Sequence, residues 1–195
     1  MAKKSTKSVK SAKEKAIDAV LALAAEKGWE NTGLADIAGK AKIPLAELRD
    51  HFEDRIDILA AYGRSIDRKV LENTGTPDPD LSPRGRLFDI LMERFDALNE
   101  RREGVRAILK SFCHDPRQAV ISLPHLGRSM CWMLEAAGID TGGIRGALRI
   151  AGLTGVYLKT LKSWMDDDSP DMGKTMAALD KNLGHAERLA ESLGI

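Results

Sequence analysis

The 195-residue chain predicts an all-α fold. Val, Ile and Thr recur at helical spacing and nowhere alternate with polar residues over five or six positions, so the signature of a half-buried strand is missing. Gly28, Pro44, Pro83 and Pro116 fall at the edges of apolar-periodic segments, where glycine stops helices and proline starts them. A hydrophobic content of 43% supports a real core, enough for one helical domain or two small ones.

Residues 1–10 read as a flexible basic arm, and residues 11–27 as the first helix, with Ile17, Val20, Leu21 and Ala24 on one face. Gly28 stops it. Asn31 or Thr32 can cap a second helix containing Leu34, Ile37 and Ala38, and Pro44 opens a third that carries Leu48 and Phe52 four residues apart. Ile43 closes the turn between them, so 34–52 has the spacing of a helix-turn-helix. A longer helix over 54–72 turns Ile56, Leu59, Ala60, Ile66 and Val70 inward. The segment 73–80, with two prolines and no apolar side chain, marks a boundary.

Five helices are expected beyond it, over 83–101, 103–114, 116–137, 142–165 and 169–193. Pro124 should kink the third of these, and 123–127 is a candidate break. Gly146, Gly152 and Gly155 permit close helix approach in the fourth. In the last, Met172, Met176, Leu179, Leu183, Ala186, Leu189 and Leu193 step by three or four, a narrow coiled-coil-like seam.

Charge is balanced overall, with 30 Lys and Arg against 29 Asp and Glu, but it is unevenly spread. Lys3, Lys4, Lys7, Lys10, Lys13 and Lys15 face the single acid Glu14 at the N-terminus. Between 16 and 60 the acids prevail. Two cysteines, Cys113 and Cys131, fit no metal motif and no disulfide framework, so a reducing, cytoplasmic setting is expected. No apolar h-region follows the lysines, and no run is long enough to span a bilayer. His51, His114, His125 and His185 are widely separated, and adjacent Cys113 and His114 point about 100° apart on a helix, so no metal is expected. Phosphate loops, nucleophile elbows and paired catalytic carboxylates are missing. Neither an enzyme nor a cofactor is expected.

The segments 19–32, 36–38 and 52–59 resemble the N-terminal pattern of TetR-type regulators: a first helix ending in glycine, an Ile-Ala pair, and a recognition helix ending in Phe. The resemblance covers 11–62. It implies a TetR-like fold, with a DNA-binding domain over 11–62 and a helical domain over 63–195 that binds a small apolar ligand and forms a homodimer through a four-helix bundle. Carried over by position, it places Pro44, Leu45, Glu47, Arg49, Asp50 and His51 on the recognition surface, and Arg55 where relatives carry a phosphate-contacting Lys. Lys3, Lys4, Lys7, Lys10 and Thr32 complete the expected DNA contacts. Relatives usually show Lys and Thr where this chain has Leu45 and Glu47, and carboxylates weaken phosphate attraction. Glu47 can still accept from cytosine N4 and Arg49 can pair with guanine.

Residues 129–139 and 161–180 are similar to a second family, the lipid-binding proteins of coenzyme Q biosynthesis, through Trp132, Trp164 and the 168–171 box. That likeness implies a TetR-like fold whose head is vestigial and whose cavity presents an isoprenoid to a partner enzyme. The box has a simpler account as a cap on the last helix. Met92, Phe95, Phe112, Met130, Met133, Leu153, Tyr157 and Trp164 are candidate pocket residues, their size and adaptability suiting a flexible apolar ligand, and equally candidate core. Met172, Met176, Leu179, Leu183 and Leu189 are the candidate dimer interface. Two readings therefore stand: a ligand-responsive repressor that binds an operator, and a lipid-binding accessory protein of ubiquinone biosynthesis.

Overall fold

A computed structural model describes residues 10–75 and 80–194. Among them are nine helices and no strand: α1 (Ala12–Lys27), α2 (Leu34–Ala41), α3 (Leu45–His51), α4 (Arg55–Thr74), α5 (Pro83–Asn99), α6 (Arg102–His114), α7 (Pro116–Ala136), α8 (Gly143–Met165) and α9 (Gly173–Leu193). Lys3, Lys4 and Lys7 lie outside the described residues. The chain divides into two units, one built from residues up to 62 with 103–116, the other from 63–102 with 117 onward.

In the first unit, Ser11 and Glu14 start α1 with a reciprocal cap. The Ser11 Oγ accepts from the Glu14 N–H at 3.3 Å, and the Glu14 carboxylate accepts from the Ser11 N–H at 2.7 Å. Gly28, at φ 87°, ends the helix. Asn31 and Thr32 do not cap α2 as the sequence suggests. Their side chains donate backward to the carbonyls of Lys27 and Gly28, each at 2.8 Å, satisfying acceptors left over where α1 ends. Gly33 is the α2 cap, with Asp36 accepting from its N–H at 2.9 Å. Ala16, Val20, Trp29, Ile37, Leu48, Phe52 and Ile58 are buried. Helix α6 joins them through Gly104, where a Cβ would stand 2.4 Å from the Leu21 carbonyl oxygen.

The second unit holds the rest of α4 with α5, α7, α8 and α9. Helix α7 runs unbroken through Pro124, against the expected break. The carbonyl that Pro124 leaves unpaired belongs to Val120, which is exposed, so water can take the missing bond. Helix α8 needs glycine at 146 because a Cβ there would meet the Thr141 backbone in the segment leading into the helix; Gly152 and Gly155 have open space around them. The last helix starts at Gly173, four residues later than expected. Ser169 and Asp171 accept from the Gly173 N–H, at 3.1 and 3.2 Å, so the 168–171 box does act at the helix start.

Asp167 organises that corner. It is buried, and its carboxylate accepts from the N–H and hydroxyl of Ser169 and from the N–H and hydroxyl of Thr175, the last two at 2.7 Å. Burial acts to raise its pKa, but these four bonds outweigh it and hold the carboxyl well below the usual carboxylate range. A depressed folded pKa contributes stability above the unfolded value and loses it as pH falls below that value. Acid titration of folding should therefore show a loss of stability below about pH 4 that is smaller in Asp167→Asn.

Arg102 closes the corner from the other side. Its Nη2 donates to the carbonyls of Trp164 at 2.7 Å and Asp167 at 2.5 Å, its guanidinium lies 4.6 Å from the Trp164 ring centroid, and Asn99 accepts from both Arg102 and the Trp164 indole. The indole N–H of this fully buried tryptophan is thus satisfied, as burial demands.

Candidate nucleic-acid interface

The head presents α3 on a tight turn. Lys42 adopts the left-handed conformation, φ 56°, and donates back to α2 carbonyls, after which Pro44 caps α3. Leu48 and Phe52 point into the core, so Pro44, Leu45, Arg49, Asp50 and His51 are turned outward and Glu47 is half-buried. Leu45 stands 53% exposed, an apolar side chain offered to the surroundings at the start of α3.

Two expected contacts are corrected. Thr32 is buried and its hydroxyl is committed to the Gly28 carbonyl, so its side chain cannot reach a phosphate. Arg55 turns inward: its Nη1 donates to the carbonyls of Trp29 and Thr32, each at 2.7 Å, and its guanidinium lies 4.6 Å from the Trp29 ring centroid. It fastens α4 to the loop between α1 and α2. Lys42, exposed on the turn, is a cation that helical periodicity did not single out.

The acidity of the head also divides. Asp54 accepts from the Asp57 N–H at 2.8 Å and Asp57 from the Glu53 N–H at 3.4 Å, so these carboxylates serve the start of α4. Asp36 pairs with Lys27, Glu26 with Lys40, and Asp18 with Lys10, which is exposed. The hydrogen bonds from Lys27 and the Gly33 N–H hold the Asp36 carboxyl below its ordinary value. What remains on the outer face of α3 is Glu47 and Asp50 beside Arg49 and the neutral His51, a net charge of −1, with exposed Glu53 just beyond the helix.

The candidate pocket residues divide between the two units. Phe95, Met130, Met133, Leu153, Tyr157 and Trp164 are buried in the second unit, with Met92 at its margin, and the rings of Phe95 and Tyr157 stack at 5.1 Å. Phe112 belongs to the first unit, where it is half-buried. The candidate dimer seam splits as well: Met172, Leu179 and Leu183 are buried within their own chain, whereas Met176 and Leu189 are exposed.

A transcriptional regulator of Nitrosomonas europaea has a solved structure that superposes with a TM-score of 0.71 at 25% identity, over 92% of this chain and 99% of that one. This is the TetR fold. A TetR regulator from Rhodococcus sp. RHA1 superposes at 0.61 with 16% identity over 90% of this chain and 94% of that one. In sequence, the chain is 24% identical over 163 residues to the helix-turn-helix repressor KstR of Rhodococcus jostii, spanning 83% of this chain and 76% of that protein. No protein-family model matches. The curated relative and both solved neighbours are transcriptional regulators, the class that the sequence resembles. The likeness of the C-terminal half to the coenzyme Q family is not carried by these relatives. Among the described residues no helix is long and apolar enough to cross a membrane.

Proposed function

We propose that this chain is a dimeric TetR-type repressor that binds an operator through α3 and responds to a small ligand in its second unit. The observation that carries this reading is the head: α3 is held by Leu48 and Phe52 with Leu45, Arg49, Asp50 and His51 facing outward, in a chain of which 92% superposes on a TetR regulator. Residues 11–62 form the DNA-binding domain, to which α6 adds its packing at Leu21, and the remainder forms the regulatory domain. Arg49 supplies base or phosphate contact, Lys42 and the N-terminal lysines neutralise phosphates, and Leu45 meets a thymine methyl. The direct test is fluorescence anisotropy with DNA from the region upstream of the chain's own gene. Arg49→Ala should weaken binding about tenfold or more; equal binding by wild type and variant removes α3 from the interface.

The dimer reading rests on the outer face of α8 and α9. Ile144, Leu148 and Leu158 of α8 and Met176, Leu189 and Leu193 of α9 are all exposed, Ile144 to 82%, and those of α8 share one helical stripe in which Ala151 and Gly155 allow close approach. A second copy covering this stripe makes a bundle of four helices. Leu148→Glu places a carboxylate in the seam and should shift the mass seen by light scattering from dimer to monomer while the helical circular dichroism stays unchanged.

A further inference from the structure

In the second unit, α4 and α7 border an open groove of about 390 Å³. Arg64, Asp67, Arg68, Leu71 and Glu72 line it from one face of α4, at the spacing of successive helical turns, and Trp132 lines it from α7. Trp132 differs from the other two tryptophans of the chain. Trp29 and Trp164 are wholly buried, and each has a guanidinium 4.6 Å from its ring centroid, that of Arg55 on the first and of Arg102 on the second. Trp132 stands 59% exposed, and among the described residues no cation or aromatic ring covers its indole.

Charge decides what such a groove takes. Two arginines and two acids among the six lining residues leave it without net charge. All four are already engaged: Asp67, which is buried, pairs with Arg94 and accepts from the Ser129 hydroxyl at 2.5 Å, Arg68 pairs with Glu72 at 2.8 Å, and Arg64 likewise holds a partner. A charged ligand therefore meets matched opposite charges at similar range and gives up its hydration for no net attraction. An uncharged ring has no such loss. The indole face, Leu71 and the methylene stems of Arg64 and Arg68 offer it apolar contact, and the volume lies within the range of small-molecule pockets, roughly 300–1,000 Å³.

We propose that this groove binds a small, uncharged, planar aromatic molecule stacked on the Trp132 indole. The proposal rests on the reading of this unit as regulatory, and it names the ligand class. Helix α4 supplies five of the six lining residues and begins in the first unit, at Arg55, so an occupant of the groove packs against the helix that the two units share.

The test uses the full chain labelled with 5-fluorotryptophan, whose Trp132 fluorine resonance is the one lost in Trp132→Phe. 2-Naphthol, uncharged at neutral pH, should move that resonance saturably and leave those of the buried Trp29 and Trp164 in place. Its anionic, cationic and non-aromatic counterparts, 2-naphthoate, 2-naphthylmethylammonium and decalin-2-ol, should each bind roughly tenfold more weakly. By titration calorimetry Trp132→Leu should lose roughly tenfold in 2-naphthol affinity and Trp132→Phe should keep most of it, both with the helical circular dichroism of wild type. Four outcomes overturn the proposal: no saturable shift at millimolar 2-naphthol, equal affinity for all four probes, wild-type affinity in Trp132→Leu, or a Trp132 resonance that moves with protein concentration alone, which would give the groove to a second copy. No DNA enters the assay. A chain that failed to bind an operator would leave a positive 2-naphthol result standing, and one that bound DNA without a 2-naphthol shift would overturn the groove alone.

Discussion

Arg94→Ala is expected to destabilise the protein by about 3–5 kcal/mol, measured as a lowered midpoint and unchanged slope in urea unfolding. Arg94 is 4% exposed and its ion-pair partner Asp67 is nearly as deeply placed, so truncating the arginine strands a carboxylate whose remaining bond comes from Ser129. The guanidinium also lies 5.2 Å from the Tyr157 ring centroid, and that contact is lost with it. Burial opposes the charge on Arg94, but its neighbours Tyr157 and Asp67 prevail and keep it firmly protonated; burial likewise pushes the Tyr157 hydroxyl up. A buried pair is costly to break and seldom cheaper than apolar packing. The double variant Asp67→Leu, Arg94→Met should therefore be more stable than Arg94→Ala, and a single variant within 1 kcal/mol of wild type would show that the pair is effectively solvated.

Gly104→Ala is the second large effect, expected at about 3 kcal/mol. The added methyl meets three Leu21 backbone atoms, at 2.4, 2.9 and 3.1 Å, and backbone cannot swing aside as a side chain would. Trp29, wholly buried in the same unit, reports the damage through a red-shifted emission. Wild-type stability in the variant would mean that α6 does not press on α1 as described.

Much of the fold is legible in the sequence because local signals coincide. Ser11 followed by Glu14 three residues on specifies the start of α1, Gly28 its end, and the apolar stripe from Leu34 to Phe52 the helix-turn-helix. What misleads is a signal with two valid uses. Asn31 and Thr32 have hydroxyl and amide groups equally able to bind the carbonyls of one helix or the amides of the next, and only the conformation at Gly28 decides between them. The seam of α9 has the same ambiguity: its period marks Met172, Leu179 and Leu183 as apolar alongside Met176 and Leu189, but not whether their partner is α8 of the same chain or a second copy.

The site is less legible than the fold because its decisive contacts are long-range. Arg55 and Trp29 are 26 residues apart, Asp67 and Arg94 27, and Asp67 and Ser129 62, so no local pattern announces them. The acids of the head appear hostile to DNA when counted. Placed in the structure, Asp54 and Asp57 serve α4, and Asp18, Glu26 and Asp36 pair with lysines, leaving α3 itself with Glu47 and Asp50 against Arg49, a net charge of −1 that Lys42 on the preceding turn offsets. On that count the proposed DNA contact does not conflict with the charge of the head, despite Leu45 and Glu47.

The salt dependence of DNA binding tests the proposed role of the head most directly. Anisotropy of labelled upstream DNA, titrated with the protein at several salt concentrations between roughly 50 and 200 mM, should give log affinity falling linearly with log salt, by about 0.9 per phosphate neutralised. A dimer placing Lys42, Arg49 and the N-terminal lysines of both copies on the backbone should show a steep slope and a preference for upstream over random DNA. Binding that is undetectable at the lowest salt, or equal on both DNAs and flat with salt, would contradict the assignment of this head to DNA.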